Sequence, residues 1–504
     1  MQERPTFRHA VKWAFVMTTG QYGIAILLMF VLAAVLGPSE FGLIAMAGAY
    51  IIFVEMFVAQ GMGAAIIQRK DLKDEHLDSI FWLILVASVL LAIISVAISP
   101  WWATVNDLPR LASVISVLSL SIPIKGLTVV QYALLQRKMD FRNLALLSGA
   151  ASIIGGVIGV AMALSGYGVW SLVAQQLVSS ALATLIMWKV SSWRPRFRFS
   201  YRRARELFGF SGGMLASQLG VYTARQSDVI LMGVFFGPIA VGLYRLADRI
   251  MDMILDFGTR SIQVVSLPHF SSLQDDPPKL RASLLSCIRL STAITIPGMT
   301  ILAVSSDQLM VLIDAKWAPA ASVIQIVVFM GMAKSVTLFC GPVLLAHGRS
   351  KTVAALVWTL AILTAGLIAI VSMSLVTADV MQQITAVAIA RTGLFVVIFG
   401  TSTFVVFNRM CKISMRQLGA AIRPGVAAAC VVFLMGKIIS SSAIPTSEGS
   451  FVALLWITIP TAVAAGITLV ATDKEIRQLL LDALRRLRLG QWRTNHGMVA
   501  VRDD

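Results

Sequence analysis

The sequence predicts an all-α polytopic membrane protein with about fourteen transmembrane helices. Its 504 residues are 57% hydrophobic and only 13% charged, whereas a soluble domain carries roughly 25% charged residues. Apolar runs of roughly 20 residues recur along the chain, and each is long enough to cross a bilayer of about 30 Å as a helix. The runs are continuously apolar instead of alternating, which favours helices over the strands of a β-barrel.

The basic residues between the apolar runs define the orientation of the chain. Lys and Arg concentrate in the connections that follow even-numbered spans, whereas the other connections contain Arg110, Lys316 and little else. The positive-inside rule places the basic connections in the cytoplasm, and an even number of spans then places both termini there. This distribution accounts for the net charge of +17 without nucleic acid as a partner. The expected spans are 13–36, 42–66, 79–102, 111–134, 144–165, 168–189, 208–235, 239–264, 286–313, 321–346, 353–377, 381–407, 417–440 and 451–471.

One short pattern occurs twice, as VLGPSEFGL around Gly37 and as FFGPIAVGL around Gly237. Both copies fall in predicted outer connections, where Gly tolerates unusual backbone angles and Pro ends the preceding helix. A second pair, ASVISVLSLSIPIKG and ASVIQIVVFMGMAKS, follows at nearly the same offset and aligns Lys125 with Lys334. We infer that spans 1–6 and 7–12 are parallel repeats related by an axis along the membrane normal.

This duplication gives the expected domain boundaries. The stretch KVSSWRPRFRFSYRRARELFGFS separates the two repeats and predicts a cytoplasmic linker with an interfacial helix. The stretch DKEIRQLLLDALRRLRLGQWR (473–493) has apolar residues on one helical face and arginines nearby, which favours a helix lying on the anionic inner leaflet over a solvated basic tail. The expected divisions are an N-terminal six-helix lobe at 1–190, the basic linker at 191–207, a C-terminal six-helix lobe at 208–408, helices 13 and 14 at 409–472, and the amphipathic cytoplasmic tail at 473–504.

Span 8 carries a row of charged side chains, which are costly inside a membrane. At about 100° per residue they fall within an arc of roughly 120°, and they cover about 22 Å of the helix. Lipid cannot face such a row. It therefore lines a polar cavity, or forms a neutralised structural row whose Arg and Asp residues pair at i, i+3 and i+4; its length favours the cavity wall. The row consists of Arg245, Asp248, Arg249, Asp252, Asp256 and Arg260.

Charged residues in other spans complete the candidate site. Arg binds phosphate bidentately and Lys binds it as a point charge, so the cations predict a site for an anion. Carboxylates take up protons when burial raises their pKa, or they hold the arginines in place; Arg391 and Glu55 have the alternative of pairing with residues of span 7 or 8. The candidate substrate-binding residues are Arg225, Arg245, Arg249, Arg260, Lys125, Lys334 and Arg391, and the candidate coupling or cavity acids are Glu55, Asp228, Asp248, Asp252 and Asp256.

Enzymatic chemistry and metal binding find no support in the sequence. The four cysteines have no CxxC spacing and the five histidines are isolated, so neither a metal site nor a disulfide framework is expected. No nucleophile–base constellation, glycine-rich phosphate loop or Walker motif is present. We expect no cofactor and no ATPase activity, with transport driven by an ion gradient or by the substrate gradient.

Five segments spread over most of the chain resemble one known family. The segments are GMGAAIIQRKDLKDEHLDSIFW, YALLQRKMDFRNLA, GLYRLADR, LPHFSSLQDDPPKLR and DAKWAPAASVIQI. In this order they are similar to the Wzx-type polysaccharide transporter (PST) flippases of the multidrug/oligosaccharidyl-lipid/polysaccharide (MOP) superfamily. They are mostly loops and helix ends, so they identify the family and not the sugar.

The resemblance implies a MOP/MATE-like fold with two six-helix lobes, a cationic central cavity and alternating access. It also implies a flippase for polyprenyl-diphosphate-linked oligosaccharide repeat units, acting in exopolysaccharide, lipopolysaccharide or O-antigen-type export. Such a protein lies in the bacterial cytoplasmic (inner) membrane. Its partners are the lipid-linked oligosaccharide, membrane lipids, and a polymerase and chain-length regulator. Span 8 has more acidic residues than this resemblance leads us to expect.

We expect the diphosphate to bind Arg225, Arg245, Arg249 and Lys334, with the prenyl tail left in lipid. Within the same superfamily, a drug/cation antiporter or a lipid II flippase is the nearest alternative, but cationic drugs favour a mainly acidic, aromatic pocket. A membrane polysaccharide polymerase is a more remote alternative, because it needs a sizeable extramembrane loop and the expected outer loops are short.

Overall fold

A computed structural model describes residues 23–24, 27–59, 63, 66, 71–138, 141–200, 211–441, 451–473 and 477–478. All regular secondary structure within these residues is helical. The chain divides into two compact units, each described here by itself. The first unit comprises Met1–Ile250, Met310–Ile326 and Ser350–Phe395, and the second comprises Met251–Leu309, Val327–Arg349 and Val396–Asp504.

The helices follow the apolar runs. In chain order they are α1 (27–35), α2 (Pro38–Ala59), α3 (Asp74–Val105), α4 (Pro109–Leu118), α5 (Ser121–Gly126), α6 (Val129–Arg137), α7 (Phe141–Leu164), α8 (Val169–Val190), α9 (Ser211–Ser272), α10 (Pro277–Ile313), α11 (Ala320–Thr337), α12 (Cys340–Ala346), α13 (Ser350–Ser374), α14 (Val380–Leu394), α15 (Gly400–Cys411), α16 (Met415–Ser441) and α17 (Phe451–Thr472). A 3₁₀ turn, Ala315–Trp317, precedes α11, and a π-helical turn, Phe395–Phe399, joins α14 to α15.

The prediction of an all-α polytopic membrane protein is confirmed. Within the described residues, ten helices are long and apolar enough to cross a membrane, and an eleventh span results if the bent pair Pro109–Gly126 and Val129–Arg137 is counted as one. The helix α9 contains predicted spans 7 and 8. Predicted span 5 corresponds to α7 (Phe141–Leu164), whose part Gly149–Leu164 is apolar, and half of predicted span 1 lies outside the described residues.

The second Gly-Pro turn bends α9 where the sequence predicts the break between two spans. Gly237 has φ of 78°, a left-handed conformation that a side chain disfavours, and the helix resumes after it. Gly37 precedes α2 without a positive φ. The repeated glycines therefore do not adopt the same backbone conformation.

The two copies of the pattern meet within the first unit. A Cβ atom added to Gly42 would overlap the carbonyl group of Pro238, and one added to Gly242 would overlap the carbonyl group of Pro38. Glycine is required at both positions because the two backbones touch. The contact is reciprocal between the two copies, which supports the predicted duplication.

Trp317, in the predicted outer connection between spans 9 and 10, also packs within the first unit. Its indole is fully buried, donates a hydrogen bond from Nε1 to the Ala33 carbonyl (2.9 Å), and meets the Phe41 ring edge-on at 5.3 Å. Phe41 also packs against the buried cluster of Leu32, Leu36, Ala163 and Leu172. The predicted outer ends of several spans are thus packed together in this unit.

The second unit has its own apolar core. Ala428 and Val432 of α16 pack with Ala465 of α17, and Ile301 of α10 packs against them. A buried carboxylate at the end of α17, Asp473, lies 3.6 Å from Arg289 Nε of α10. Predicted spans 13 and 14, which are α16 and α17 and have no counterpart in the predicted repeat, are therefore integral to this unit.

The predicted linker is described as far as residue 200, and residues 191–200 contain no helix. The predicted interfacial helix and the amphipathic tail lie almost entirely outside the described residues. The lobe boundaries remain a prediction, because units defined by contacts do not test an ancestral repeat.

Candidate functional site

The first unit contains a cavity of about 310 Å³ beside three predicted site residues. Its wall is built by α2, by α5 and α6, and by the part of α9 before Gly237. Glu55, Lys125 and Arg225 line it, together with the polar side chains of Gln218 and Gln226. The remaining lining residues are Ile52, Met56, Val58, Ile122, Gly126, Val129, Val221 and Tyr222.

Two charges in this cavity neutralise each other. Lys125 Nζ lies 2.7 Å from Glu55 Oε2, and Ser121 Oγ donates to Glu55 Oε1 (3.1 Å). Glu55 therefore has a partner on α5, and the alternative that it pairs with span 7 or 8 is wrong. The pairing leaves Lys125 with less capacity to attract an anion than a free lysine would have.

Arg225 is the cation that this pairing leaves unmatched. Its side chain is exposed to the cavity, and among the described residues no carboxylate lies within salt-bridge distance of it. The Tyr222 hydroxyl, one turn earlier, donates to the Ala49 carbonyl (2.9 Å) and so fixes α9 against α2. The cavity therefore has an excess positive charge on a positioned helix.

The pairing of the repeated lysines recurs in the second unit. Lys334 Nζ of α11 lies 3.1 Å from Asp252 Oδ1 of α9, as Lys125 pairs with Glu55 of α2. Each aligned lysine thus pairs with an acid on a matching helix of its repeat, span 2 or span 8. This recurrence supports the duplication.

The charge row of span 8 is divided between the units and is largely neutralised. In the first unit, Arg245 Nη1 lies 3.8 Å from Asp248 Oδ2. In the second unit, Arg260 Nη1 lies 3.5 Å from Asp256 Oδ2. Arg249 is exposed and has no carboxylate partner among the described residues, so it resembles Arg225 in this respect.

Arg391 is enclosed by oxygen acceptors within the first unit. Its Nη1 atom lies 3.0 Å from Asp228 Oδ2, 2.9 Å from Asp248 Oδ1 and 2.9 Å from the Tyr244 hydroxyl. All four side chains are buried. The alternative that Arg391 pairs with residues of spans 7 and 8 is therefore observed, and this network joins α14 to α9.

Sequence reasoning did not single out Tyr222, Gln226, Ser121 or Tyr244. A signal was available for Tyr244, because it lies one turn before Asp248 on the same face of the helix. Tyr222 similarly lies one turn before Arg225. Ser121 and Gln226 carry no such spacing signal. Within the described part of the chain, no group of His, Cys, Asp and Glu residues is arranged to hold a metal ion.

Comparisons with known proteins agree with this architecture. The family model described as polysaccharide biosynthesis protein matches residues 31–322, more than half of the chain. The succinoglycan biosynthesis transport protein ExoT of Rhizobium meliloti (strain 1021) is 30% identical over 316 residues, which cover 62% of this chain and 64% of that protein. The match therefore spans less than two thirds of that relative's length.

Two solved structures share the fold. The lipid II flippase MurJ, in an inward closed conformation, has a TM-score of 0.68 at 15% identity and covers 93% of this chain and 100% of its own. An inward-facing MATE family multidrug resistance transporter of the MOP superfamily has a TM-score of 0.61 at 15% identity and covers 80% of this chain and 99% of its own. The expected MOP/MATE-like fold is confirmed.

Proposed function

The chain belongs to the polysaccharide biosynthesis protein family, and on that premise we propose that it is a flippase for lipid-linked oligosaccharide. The cargo is a polyprenyl-diphosphate-linked repeat unit made on the cytoplasmic face. The protein moves it across the bacterial cytoplasmic membrane, with both termini on the cytoplasmic side. The repeat unit is then available outside for polymerisation into an exopolysaccharide or O-antigen-type polymer by a polymerase and a chain-length regulator.

The observation that carries this proposal is the unmatched arginine in the cavity. Glu55 and Lys125 neutralise each other, so Arg225 gives the wall one excess positive charge. A guanidinium donates two parallel hydrogen bonds to a phosphate, which makes it a suitable group for the diphosphate of the cargo. Arg249, an exposed cation of span 8 with no carboxylate partner among the described residues, supplies a second contact along the route.

The remaining charged residues hold the helices and each other. Asp228 and Asp248 neutralise Arg391, and Asp252 neutralises Lys334. The aspartates are expected either to couple transport to protons or to hold cations in place. These pairs favour holding cations in place. A cation paired with a carboxylate is less available to a diphosphate than a free cation. The expected substrate-binding residues therefore divide into paired cations, which hold the structure, and unpaired ones, which are available to the cargo.

A drug/cation antiporter is less compatible with this cavity. The formal charge of the cavity is positive, and Tyr222 is the one aromatic residue among the described residues that line it. A cationic drug is best bound by carboxylates and several aromatic faces. The excess arginine instead favours an anionic head group.

Deletion of the gene in its host tests the proposal. We expect loss of surface polysaccharide and accumulation of the repeat unit on its polyprenyl carrier lipid in the cytoplasmic leaflet. Re-expression of the wild type and of Arg409→Gln should restore the polymer, because Arg409 is exposed and lies in a predicted cytoplasmic connection. Re-expression of Arg225→Gln with Arg249→Gln should not restore it.

Two outcomes would contradict the proposal or part of it. Normal polymer with no trapped intermediate in the deletion strain, after any second family member has also been deleted, would exclude this cargo. Full complementation by the double variant at normal protein levels would retain the cargo but reject the two arginines as its binding residues.

A further inference from the structure

The segment after α8 is fixed by its backbone onto the start of α3, within the first unit. The Arg196 N–H donates to Asp78 Oδ1 (3.0 Å), and the Ser200 N–H donates to Ser79 Oγ (3.0 Å). Trp82 Nε1 donates to the Arg196 carbonyl (2.9 Å). Asp78 and Ser79 are buried. The position of this segment thus depends on its main chain, and its side chains are not needed to hold it.

A tight turn presents an aromatic side chain at the centre of the segment. The Arg198 N–H donates to the Arg196 carbonyl (2.8 Å), which is the hydrogen bond of a γ-turn with Phe197 at its tip. The Phe197 ring stacks on Trp82 at 4.8 Å, but the stacking covers only part of one face, because Phe197 is 91% exposed. Phe199 is also exposed. Both phenylalanine rings would be stabilised if an apolar phase covered them, because apolar surface would leave water.

Two free guanidinium groups flank the exposed rings. Arg196 and Arg198 are exposed, and no carboxylate among the described residues lies within salt-bridge distance of either. Arg194 is different, because it donates to the Trp188 carbonyl (2.6 Å) and the Trp193 carbonyl (2.8 Å) near the end of α8. Arg194 caps the helix, whereas Arg196 and Arg198 are available to a ligand.

The position in the chain indicates what covers these groups. The helix α8 ends at Val190, where predicted span 6 ends, and Trp82 lies at the start of predicted span 3. Both ends fall on the predicted cytoplasmic side. Three tryptophans lie at these ends: Trp82, Trp188 and Trp193. Tryptophan is typical of the membrane–water interface. The segment therefore lies at the level of the lipid head groups of the inner leaflet.

We propose that residues 196–199 form a binding surface for anionic phospholipids. Arg196 and Arg198 bind the lipid phosphates, and Phe197 and Phe199 insert between the first methylene groups of the acyl chains. The inner leaflet carries negative charge, which complements the two guanidinium groups. The proposal is independent of the cargo, because no residue of the cavity takes part.

The test measures thermal unfolding of the full-length protein purified in a neutral detergent. Dioleoylphosphatidylglycerol or dioleoylphosphatidylcholine is added, and each variant's midpoint is compared with its own lipid-free value. We expect phosphatidylglycerol to raise the wild-type midpoint and phosphatidylcholine to have little effect. The Arg196→Gln, Arg198→Gln double variant should need about thirtyfold more phosphatidylglycerol for the half-maximal shift, since each of the two basic residues near an anionic surface contributes about 1 kcal/mol and about 1.4 kcal/mol corresponds to a factor of ten.

Three controls separate lipid binding from folding and from general charge. Arg196→Lys with Arg198→Lys keeps the charge and should respond nearly as the wild type does. Arg349→Gln with Lys351→Gln removes two exposed cations from another predicted cytoplasmic connection and should leave the response unchanged. Phe197→Ser should weaken the response to phosphatidylglycerol without abolishing it.

Several outcomes would overturn the proposal. One is an equal response to both lipids, and another is an unchanged response of the Arg196→Gln, Arg198→Gln variant. Absence of any response in the wild type would also reject the lipid and would favour an acidic cytoplasmic protein as the partner. A lower lipid-free midpoint of a variant does not affect the comparison, because each shift is measured against that variant's own baseline.

Discussion

At the residue scale, Arg391 shows how one guanidinium holds two buried acids. Its Nη1 atom has two hydrogens and lies within 3.0 Å of three oxygens, on Asp228, Asp248 and Tyr244. The neighbouring Arg245 adds a longer ion pair to Asp248. Removing one member of such a buried pair leaves an uncompensated charge, which costs more than the pair itself contributes.

We predict that Arg391→Ala is strongly destabilising. The loss should be about 3–5 kcal/mol because two buried carboxylates lose their shared counterion. Thermal unfolding in detergent measures it, with Arg409→Ala as the exposed control, for which a change within about 0.5 kcal/mol is expected. Adding Asp228→Asn to Arg391→Ala should recover part of the loss. Equal midpoints for the two alanine variants would show that the network contributes little.

A second prediction concerns whether Lys125 binds the cargo or only neutralises Glu55. If the 2.7 Å pair serves only to neutralise Glu55, Lys125→Gln exposes a carboxylate that repels the diphosphate, and transport should fall about tenfold, equivalent to about 1.4 kcal/mol. The Glu55→Gln, Lys125→Gln variant then restores transport, because no net charge is added to the cavity.

The readout is the rate of polymer export at matched protein levels. A double variant as defective as Lys125→Gln would contradict neutralisation and would identify Lys125 as a ligand of the cargo, as the sequence predicted.

The sequence identified the charged residues inside the spans but could predict only the partners that lie on the same helix. Helical spacing places Arg245 beside Asp248 and Asp256 beside Arg260, and both pairs are observed. The pairs of Arg391 and Lys334 join helices far apart in the chain, and no local spacing reports such a contact. For this reason the sequence could not distinguish Arg225 and Arg249, which have no carboxylate partner among the described residues, from Lys125 and Arg391, which have one.

At the element scale, the crossing of α2 with the second half of α9 depends on two glycines. Gly42 and Gly242 each lie against the carbonyl group of a proline from the other copy of the repeated pattern. Small residues allow helix backbones in a membrane to approach closely. The crossing lies at the predicted outer ends of both helices, beside the buried Trp317.

We predict that Gly42→Ala separates this crossing. The added methyl group meets backbone atoms, which cannot rotate away as a side chain would. Gly48→Ala is the matched control in the same helix, because a Cβ atom there meets nothing within 4 Å. Labelling of a cysteine placed at position 41 by a membrane-impermeant maleimide, in a background without the native cysteines, should increase in Gly42→Ala and not in Gly48→Ala.

Unchanged labelling in Gly42→Ala, with normal folding, would show that the added methyl group does not separate the crossing. The same experiment on Gly242→Ala provides an independent check, since the contact is reciprocal.

The helices themselves were predictable, and their breaks were less so. Continuous apolar runs gave most spans, and the Gly-Pro pattern marked the bend of α9 at Gly237. Predicted spans 4 and 10 are instead interrupted, and the short helices Ser121–Gly126 and Cys340–Ala346 each follow an interruption. Each contains an internal proline, which removes a backbone donor, but hydropathy alone does not show where a helix will break.

At the scale of the whole molecule, a fold shared with other transporters contains a cavity particular to this chain. The family and the two structural relatives establish the architecture, and architecture alone does not determine what is carried. The cargo is inferred from Arg225 in a cavity whose other two charges cancel. We therefore propose that this arginine contacts a diphosphate during translocation.

The most direct test is a leaflet-resolved flipping assay with purified protein in vesicles. The vesicles carry a polyprenyl-diphosphate-linked oligosaccharide whose outer-leaflet fraction is measured with a lectin. The account predicts protein-dependent translocation that falls at least about tenfold in Arg225→Gln, since a hydrogen bond to a charged group contributes about 1.5–3 kcal/mol. Arg225→Lys should recover part of the rate, and Arg409→Gln should equal the wild type. Translocation by Arg225→Gln at the wild-type rate, or no translocation by the wild type, would contradict the account.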